Sequence, residues 1–142
     1  MRQIYVLYGI DADTMVVCAD SIDDLEQLIQ PATLVRDEVA LRTYDLLKDP
    51  EAFHLLNVDG GIKRWSYDLL CTMLYAILGQ DHPYVASEYF NEQVKSWMTH
   101  GGGYPGHLVH CLIWDQMPEG YYIDKCYDPA TMTPGIILAH GE

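Results

Sequence analysis

The alternation of apolar and polar positions near the start of the chain is typical of a β-hairpin. Residues 3–8 (QIYVLY) and 14–19 (TMVVCA) are rich in β-branched and aromatic side chains, and turn-forming residues separate them at 9–13. Ser21 follows, with an aspartate three residues later, and apolar residues then recur at helical spacing as far as Pro31. This part of the sequence predicts two strands and a helix.

Three further segments have the periodicity of helices. Residues 36–48 place their apolar side chains on one face, and residues 84–99 do the same with charges on the other. Residues 66–78 are apolar on most sides, which predicts a central, buried helix that ends at Gly79. Residues 51–64 carry no clear pattern apart from an Asp-Gly-Gly turn.

The last third of the chain is predicted to be β-structure. Residues 107–114 and 121–127 are interpreted as strands joined by a turn at 118–120, and a short apolar tail follows at 136–139. The order of elements predicts the α+β class: an antiparallel sheet, made of the N-terminal hairpin and the C-terminal strands, with about four helices packed on it. No repeat or linker interrupts residues 1–142, so a single domain is expected.

Composition adds the broad class and the expected compartment. Apolar residues make up 49% of the 142 residues and charged residues 20%, which excludes a disordered chain. The chain lacks the pattern of a signal peptide and an apolar run of membrane-spanning length, so a cytoplasmic location and no membrane contact are expected. The four cysteines form no CxxC pair and are interpreted as reduced thiols: Cys18, Cys71, Cys111 and Cys126.

The charge balance restricts the class of partner. The formal net charge is −13 and the isoelectric point is near 4.5. Phosphate backbones and anionic lipids would be repelled, so direct nucleic-acid binding is not expected. A basic protein would be attracted. The alternative is that the charge serves solubility alone.

Acidic residues are concentrated near the start of the chain, and no Lys or Arg occurs from Gln3 to Val35. These acids predict a surface that binds a basic protein: Asp11, Asp13, Asp20, Asp23 and Asp24, with Glu26 beside them. The alternative is turn and capping chemistry, for which aspartate is well suited. Asp11-x-Asp13 lacks the other ligands of a calcium loop, so no metal is expected there. No cofactor is expected either.

Tyrosine content suggests aromatic contacts for the same surface. The chain has eleven tyrosines, three tryptophans and two phenylalanines. Tyrosine is enriched at binding hot spots, and Tyr121 and Tyr122 are the candidate anchors. A core filled with tyrosines and a homodimer interface are the alternatives.

A second candidate site depends on the predicted strand 107–114. If this strand paired with 121–128 so that Trp114 faced Tyr121, His107 would lie opposite Asp128 and Cys111 opposite Asp124, with Cys126 on the same face. Such a face suits a His–Asp dyad that acts as a general base. The alternative is a zinc site with four ligands: His107, Cys111, Cys126 and Asp128.

The same segment carries one family resemblance. GHLVHCLIWD, followed by GYYIDKCYDPA, resembles the histidine strand of papain-like cysteine peptidases of the bacteriocin-processing type, where Gly-His opens a strand and Asx-Pro follows in the next. The resemblance covers about 25 residues. It implies that His107 is the base and that Asp124 or Asp128 orients it. The chain departs from the family at the nucleophile, because Cys71 lies inside the most apolar helix rather than at a helix N-terminus.

Two classes of function follow from these residues. The first is an acidic binding protein that inhibits or neutralises a basic partner, such as a nuclease or a nucleic-acid-binding complex, as toxin-immunity proteins and phage anti-defence inhibitors do. The alternative is a small cysteine/histidine hydrolase or transferase that uses the His107 face, with candidate catalytic residues His107, Asp128, Asp124 and Cys71.

Overall fold

The helices and strands are taken from a computed structural model, which describes residues 2–10, 13–49, 51–129 and 133–139. In chain order the elements are β1 (Gln3–Ile10), β2 (Met15–Ala19), α1 (Ile22–Leu28), α2 (Glu38–Leu47), α3 (Tyr67–Leu78), α4 (Glu88–His100), α5 (Pro105–Asp115), β3 (Gly120–Tyr127) and β4 (Gly135–Ala139). Short 3-10 turns occupy His54–Leu56 and Gly61–Arg64. The predicted α+β class is confirmed.

The chain divides into two compact units. The first, called here the sheet unit, consists of Met1–Leu41 and Pro118–Glu142. The second, called the helical unit, is Arg42–Met117. This division into units does not test the expectation of a single domain, which stays a prediction.

The sheet unit contains a four-stranded antiparallel sheet with strand order β3-β1-β2-β4. The predicted hairpin is confirmed, because β1 pairs with β2 in a register that joins Gln3 to Ala19 and Leu7 to Met15. Helix α1 packs against β2, and Leu7, Leu25 and other apolar side chains form the core of the unit. The sequence pattern was sufficient here because the hairpin and the helix are close in the chain.

A segment outside the strands covers part of the β3 edge of the sheet. The Tyr121 N–H donates to the carbonyl oxygen of Thr33 at 2.8 Å, and the Val35 N–H donates to that of Tyr121 at 2.9 Å. Gly120 has a φ of 137°, and a Cβ there would lie 2.8 Å from the Thr33 oxygen, so this close approach requires glycine. The edge is therefore occupied where β3 begins.

Two of the predicted helices in the helical unit begin at serine caps. The Ser66 hydroxyl accepts the Leu69 N–H at 3.1 Å, and the Ser87 hydroxyl accepts the Phe90 N–H at 3.0 Å. Helix α3 is buried on one face only, since Leu69 is 51% exposed. The prediction of a helix buried on most sides was wrong, because an apolar sequence does not by itself determine which faces are covered.

The segment predicted as strand 107–114 is helix α5, and this prediction was wrong. Pro105 stands in the first turn, where its missing N–H costs nothing. The buried residues Val109, Leu112 and Ile113 follow the i, i+3, i+4 spacing of a helix rather than the alternation of a strand. The partner of β3 in the sheet is β1.

Among the described residues, no helix combines the length and apolar character needed to cross a membrane.

Candidate functional site

The predicted acidic residues lie at the start of α1 and in the loops around β2. Asp20 follows β2 directly, and the Ser21 hydroxyl accepts the Asp24 N–H at 3.1 Å, which caps α1. Asp23 and Asp24 stand in the first helical turn, where the helix dipole favours negative charge. These acids therefore have a structural role in addition to any binding role.

Four of the five predicted acids are exposed: Asp13, Asp20, Asp23 and Asp24. The fifth, Asp11, lies outside the described residues. Asp20, Asp23 and Asp24 lie close together around the N-terminus of α1. They form, with Asp13 and Glu26, what we call the acidic surface.

Two arginines partly neutralise the acidic surface. The Arg36 Nη1 lies 2.6 Å from Asp23 Oδ1 and 3.3 Å from Glu26 Oε1, and the Arg2 Nε lies 3.0 Å from Asp20 Oδ1. The hydrogen bond to Asp23 raises the pKa of the Arg36 guanidinium. All these groups are exposed to solvent, so the ion pairs contribute little to stability.

The tyrosines that are exposed in the sheet unit differ from the predicted ones. Tyr122 is fully buried, and its hydroxyl donates to the Pro118 carbonyl oxygen at 2.6 Å, so its proposed role as a surface anchor was wrong. Tyr121 is partly buried against the core. Tyr8 and Tyr127 are 40% and 52% exposed, and neither is one of the two predicted anchors. Their exposure depends on the sheet order, which no local pattern shows.

The His–Asp dyad depended on a hairpin that is absent from the described residues. His107 lies on α5 of the helical unit, whereas Asp128 follows β3 in the sheet unit and Asp124 lies within that strand. The Asp128 carboxylate accepts a hydrogen bond from the Gln3 amide at 3.3 Å, and the Cys126 thiol donates to the Gln3 Oε1 at 3.0 Å. The pairing of His107 with either aspartate has lost its basis, as has the zinc site that used the same face.

Cys71 is not placed as an activated nucleophile. It lies in the second turn of α3 and is partly buried. Burial raises the pKa of its thiol, although a hydrogen bond with Tyr67 acts in the opposite direction. A thiol with a raised pKa forms less thiolate, which is the reactive species.

The helical unit contains a pocket of about 240 Å³ between α5 and residues 49–57, which follow α2 in the chain. Its lining is rich in polar side chains: Asp49, His54, Asn57, His107 and His110, together with Phe53 and Gly106. Asn57 Oδ1 accepts the Gly106 N–H at 2.8 Å, which holds the start of α5 to the opposite wall. The pocket is therefore fixed by a specific hydrogen bond rather than by side-chain packing alone.

The histidines of this pocket have different surroundings. His110 Nε2 donates to the Leu47 carbonyl oxygen at 2.9 Å, and its ring stacks on Trp114 with centroids 6.5 Å apart. His110 is therefore held in place by a hydrogen bond and a ring contact. His107 is exposed, and its Nε2 lies 3.8 Å from the Cys111 thiol, one helical turn further on.

No group of three His, Cys, Asp or Glu side chains in the described part of the chain is arranged to hold a metal ion.

Comparison with protein-family models, curated proteins and solved structures found no match to this chain.

Proposed function

We propose that this protein is an acidic binding protein that inhibits or neutralises a basic protein partner, of the kind represented by immunity proteins and anti-defence inhibitors. A nuclease or another nucleic-acid-binding protein is the class of partner that fits best, because such proteins present basic surfaces. The proposal includes a cytoplasmic location and no direct contact with nucleic acid.

The observation that carries the proposal is the uneven division of charge between the two units. The sheet unit has twelve acidic and three basic residues in its sequence, whereas the helical unit has nine and five. The sheet unit thus accounts for −9 of the net −13. A charge that served solubility alone would have no reason to be concentrated in one unit.

The acidic surface has carboxylates available for a partner. Asp13 and Asp24 form no ion pair with any described residue. Within the surface, five acids stand against the two arginines that contact them. The resulting negative field would steer a basic protein toward α1 and would increase the association rate most at low salt.

A pocket of about 560 Å³ lies beside the acidic surface in the same unit. Its lining joins Glu26 to apolar groups of Pro31, Ala32 and Leu34. Such a lining suits a lysine or arginine side chain, whose methylene groups would contact the apolar wall while its charge stays near the carboxylate. Tyr8 and Tyr127 offer exposed aromatic area on the strands of this unit.

The test uses charge reversal with a matched control. The test variant carries Asp20→Lys, Asp23→Lys and Asp24→Lys. The control variant carries the same change at three exposed acids of the helical unit, Asp59, Glu92 and Asp115, and so has the same net charge. Circular dichroism confirms that both are folded.

Each immobilised protein is exposed to host lysate. Any basic protein that the native chain retains is then purified, and its association rate with each variant is measured. The association rate is expected to fall about tenfold or more in the test variant and much less in the control. The native chain should also inhibit the activity of the purified partner at a 1:1 ratio, and His107→Ala should not alter this inhibition. Equal losses in the two triple variants would contradict the proposal, since they would indicate an effect of net charge alone.

A further inference from the structure

The helical unit carries a pair of groups that the proposed function does not use. The Cys111 Sγ and the His107 Nε2 are 3.8 Å apart on α5, and both side chains are exposed. Residues four apart lie on the same face of a helix. Because α5 is buried on another face through Val109, Leu112 and Ile113, the helix holds the pair at its spacing.

The four cysteines differ in their surroundings, and Cys111 stands apart. Cys18 is buried, and burial raises the pKa of the partly buried Cys71. Cys126 is exposed, but its thiol donates to Gln3 Oε1 at 3.0 Å, and burial together with the charge of Asp128 raises its pKa. Among the described residues, Cys111 is the cysteine whose thiol has an imidazole beside it.

One member of the pair, His107, is part of the lining of the pocket in the helical unit, and Cys111 follows it one helical turn further on. A volume of about 240 Å³ is below the usual size of a drug-binding site and suits a small group. Asn57 Oδ1 is engaged by the Gly106 N–H, so the remaining hydrogen-bonding capacity of this amide is mainly that of its NH₂ group. Donors of this type stabilise a carbonyl oxygen as it gains negative charge.

We propose that Cys111 is a nucleophilic thiol that accepts an acyl group from a small ester or thioester, with His107 as its base. The Cys111 sulfur attacks the carbonyl carbon, and the thiol proton passes to the His107 Nε2. The bond between the carbonyl carbon and the leaving oxygen or sulfur then breaks, and the proton passes from His107 to the leaving group. The products are a thioester on Cys111 and a free alcohol or thiol. Hydrolysis by water would restore the thiol and release a carboxylic acid.

This proposal is independent of the acidic surface, since its residues belong to the helical unit. It retains His107 from the sequence-based enzyme hypothesis but replaces the nucleophile and removes the aspartate. Loss of partner binding in the charge-reversal variant would leave it unaffected.

The test compares two exposed cysteines within one chain. The native protein is incubated briefly with p-nitrophenyl acetate, and the acetyl group on each cysteine is quantified by peptide mass spectrometry. Because Cys111 and Cys126 experience the same pH and reagent concentration, their ratio reports their local surroundings. Cys111 is expected to be acetylated about tenfold faster or more, since a positioned base contributes at least this much. Equal rates, or an acetyl group on His107 in place of Cys111, would overturn the proposal.

Two variants then test the role of the imidazole. His107→Gln keeps a polar side chain of similar size but removes the base, so acetylation of Cys111 should fall about tenfold or more, while the rate of Cys126 stays constant. His100→Gln, at an exposed histidine outside the pocket, should change neither rate. Cys111→Ser should remove one equivalent of rapid nitrophenolate release. An unchanged Cys111 rate in folded His107→Gln protein would overturn the assignment of the base.

Discussion

A buried hydrogen bond between Thr43 and His82 joins α2 to the loop before α4. The two side chains are 1% and 5% exposed, and Thr43 Oγ1 lies 2.7 Å from His82 Nε2. The Tyr84 N–H donates to the other ring nitrogen, Nδ1, at 3.3 Å. Because Nδ1 accepts, the hydrogen of the neutral ring is on Nε2, which donates to the Thr43 hydroxyl.

Replacing Thr43 by valine keeps the shape of the side chain but removes this acceptor. The His82 N–H would then be buried without a partner, which costs about 1–3 kcal/mol of the free energy of unfolding. Thr72→Val is the matched control. Its hydroxyl donates to the Asp68 carbonyl oxygen on an exposed face, where water can replace it, so the change is expected to stay within about 0.5 kcal/mol.

Urea unfolding at pH 7.5, followed by circular dichroism, measures both variants against the native chain. A decrease in the midpoint for Thr43→Val, with an unchanged slope, gives the cost of removing the Thr43 hydroxyl, which includes the unpaired His82 N–H. If Thr43→Val were as stable as Thr72→Val, the pairing inferred for His82 would be incorrect.

Three further predictions concern stability. Burial and, to a lesser extent, the charge of Arg42 lower the pKa of His82, so the unfolded chain binds its proton more readily. The free energy of unfolding should therefore be level above about pH 6.5 and fall as the pH drops from there toward the folded-state pKa; a slope that persists in His82→Gln would contradict this. Gly106→Ala would place a Cβ 2.5 Å from the Phe53 carbonyl oxygen and should cost about 1–3 kcal/mol in urea unfolding, whereas Gly102→Ala should be nearly neutral. Ser66→Ala should cost about 1 kcal/mol through loss of the α3 cap, measured as a lower thermal midpoint.

Local features of the fold were predictable because their signals lie within a few residues. The hairpin of β1 and β2 follows from two β-branched runs with a short turn, and α1 follows from Ser21 and the apolar stripe after it. The helices at 36–48, 66–78 and 84–99 were found in the same way. Each of these elements is formed by residues that are close together in the chain.

The sequence predicted that the C-terminal strands share a sheet with the hairpin, but it did not reveal the order of the strands. Strand β3 was expected to pair with the segment just before it, but it pairs with β1, more than a hundred residues earlier. The burial of Tyr122 and the ion pair between Arg36 and Asp23 likewise depend on chain segments that come together only in the fold. The acidic surface was predictable because charge is a property of composition, but its partial neutralisation was not.

The misassigned segment shows how the same residues change their chemistry with the backbone. In a strand, His107 and Cys111 would share a face but stand about 13 Å apart, since each residue advances about 3.3 Å. In a helix, four residues advance about 6 Å and complete one turn, so the two side chains meet. With a strand at 107–114, a partner for His107 would have to come from across a hairpin, where Asp128 would stand. In helix α5 the partner of His107 is Cys111, one turn further along. The thiol–imidazole contact therefore depends on the helical backbone and not on a further sequence motif.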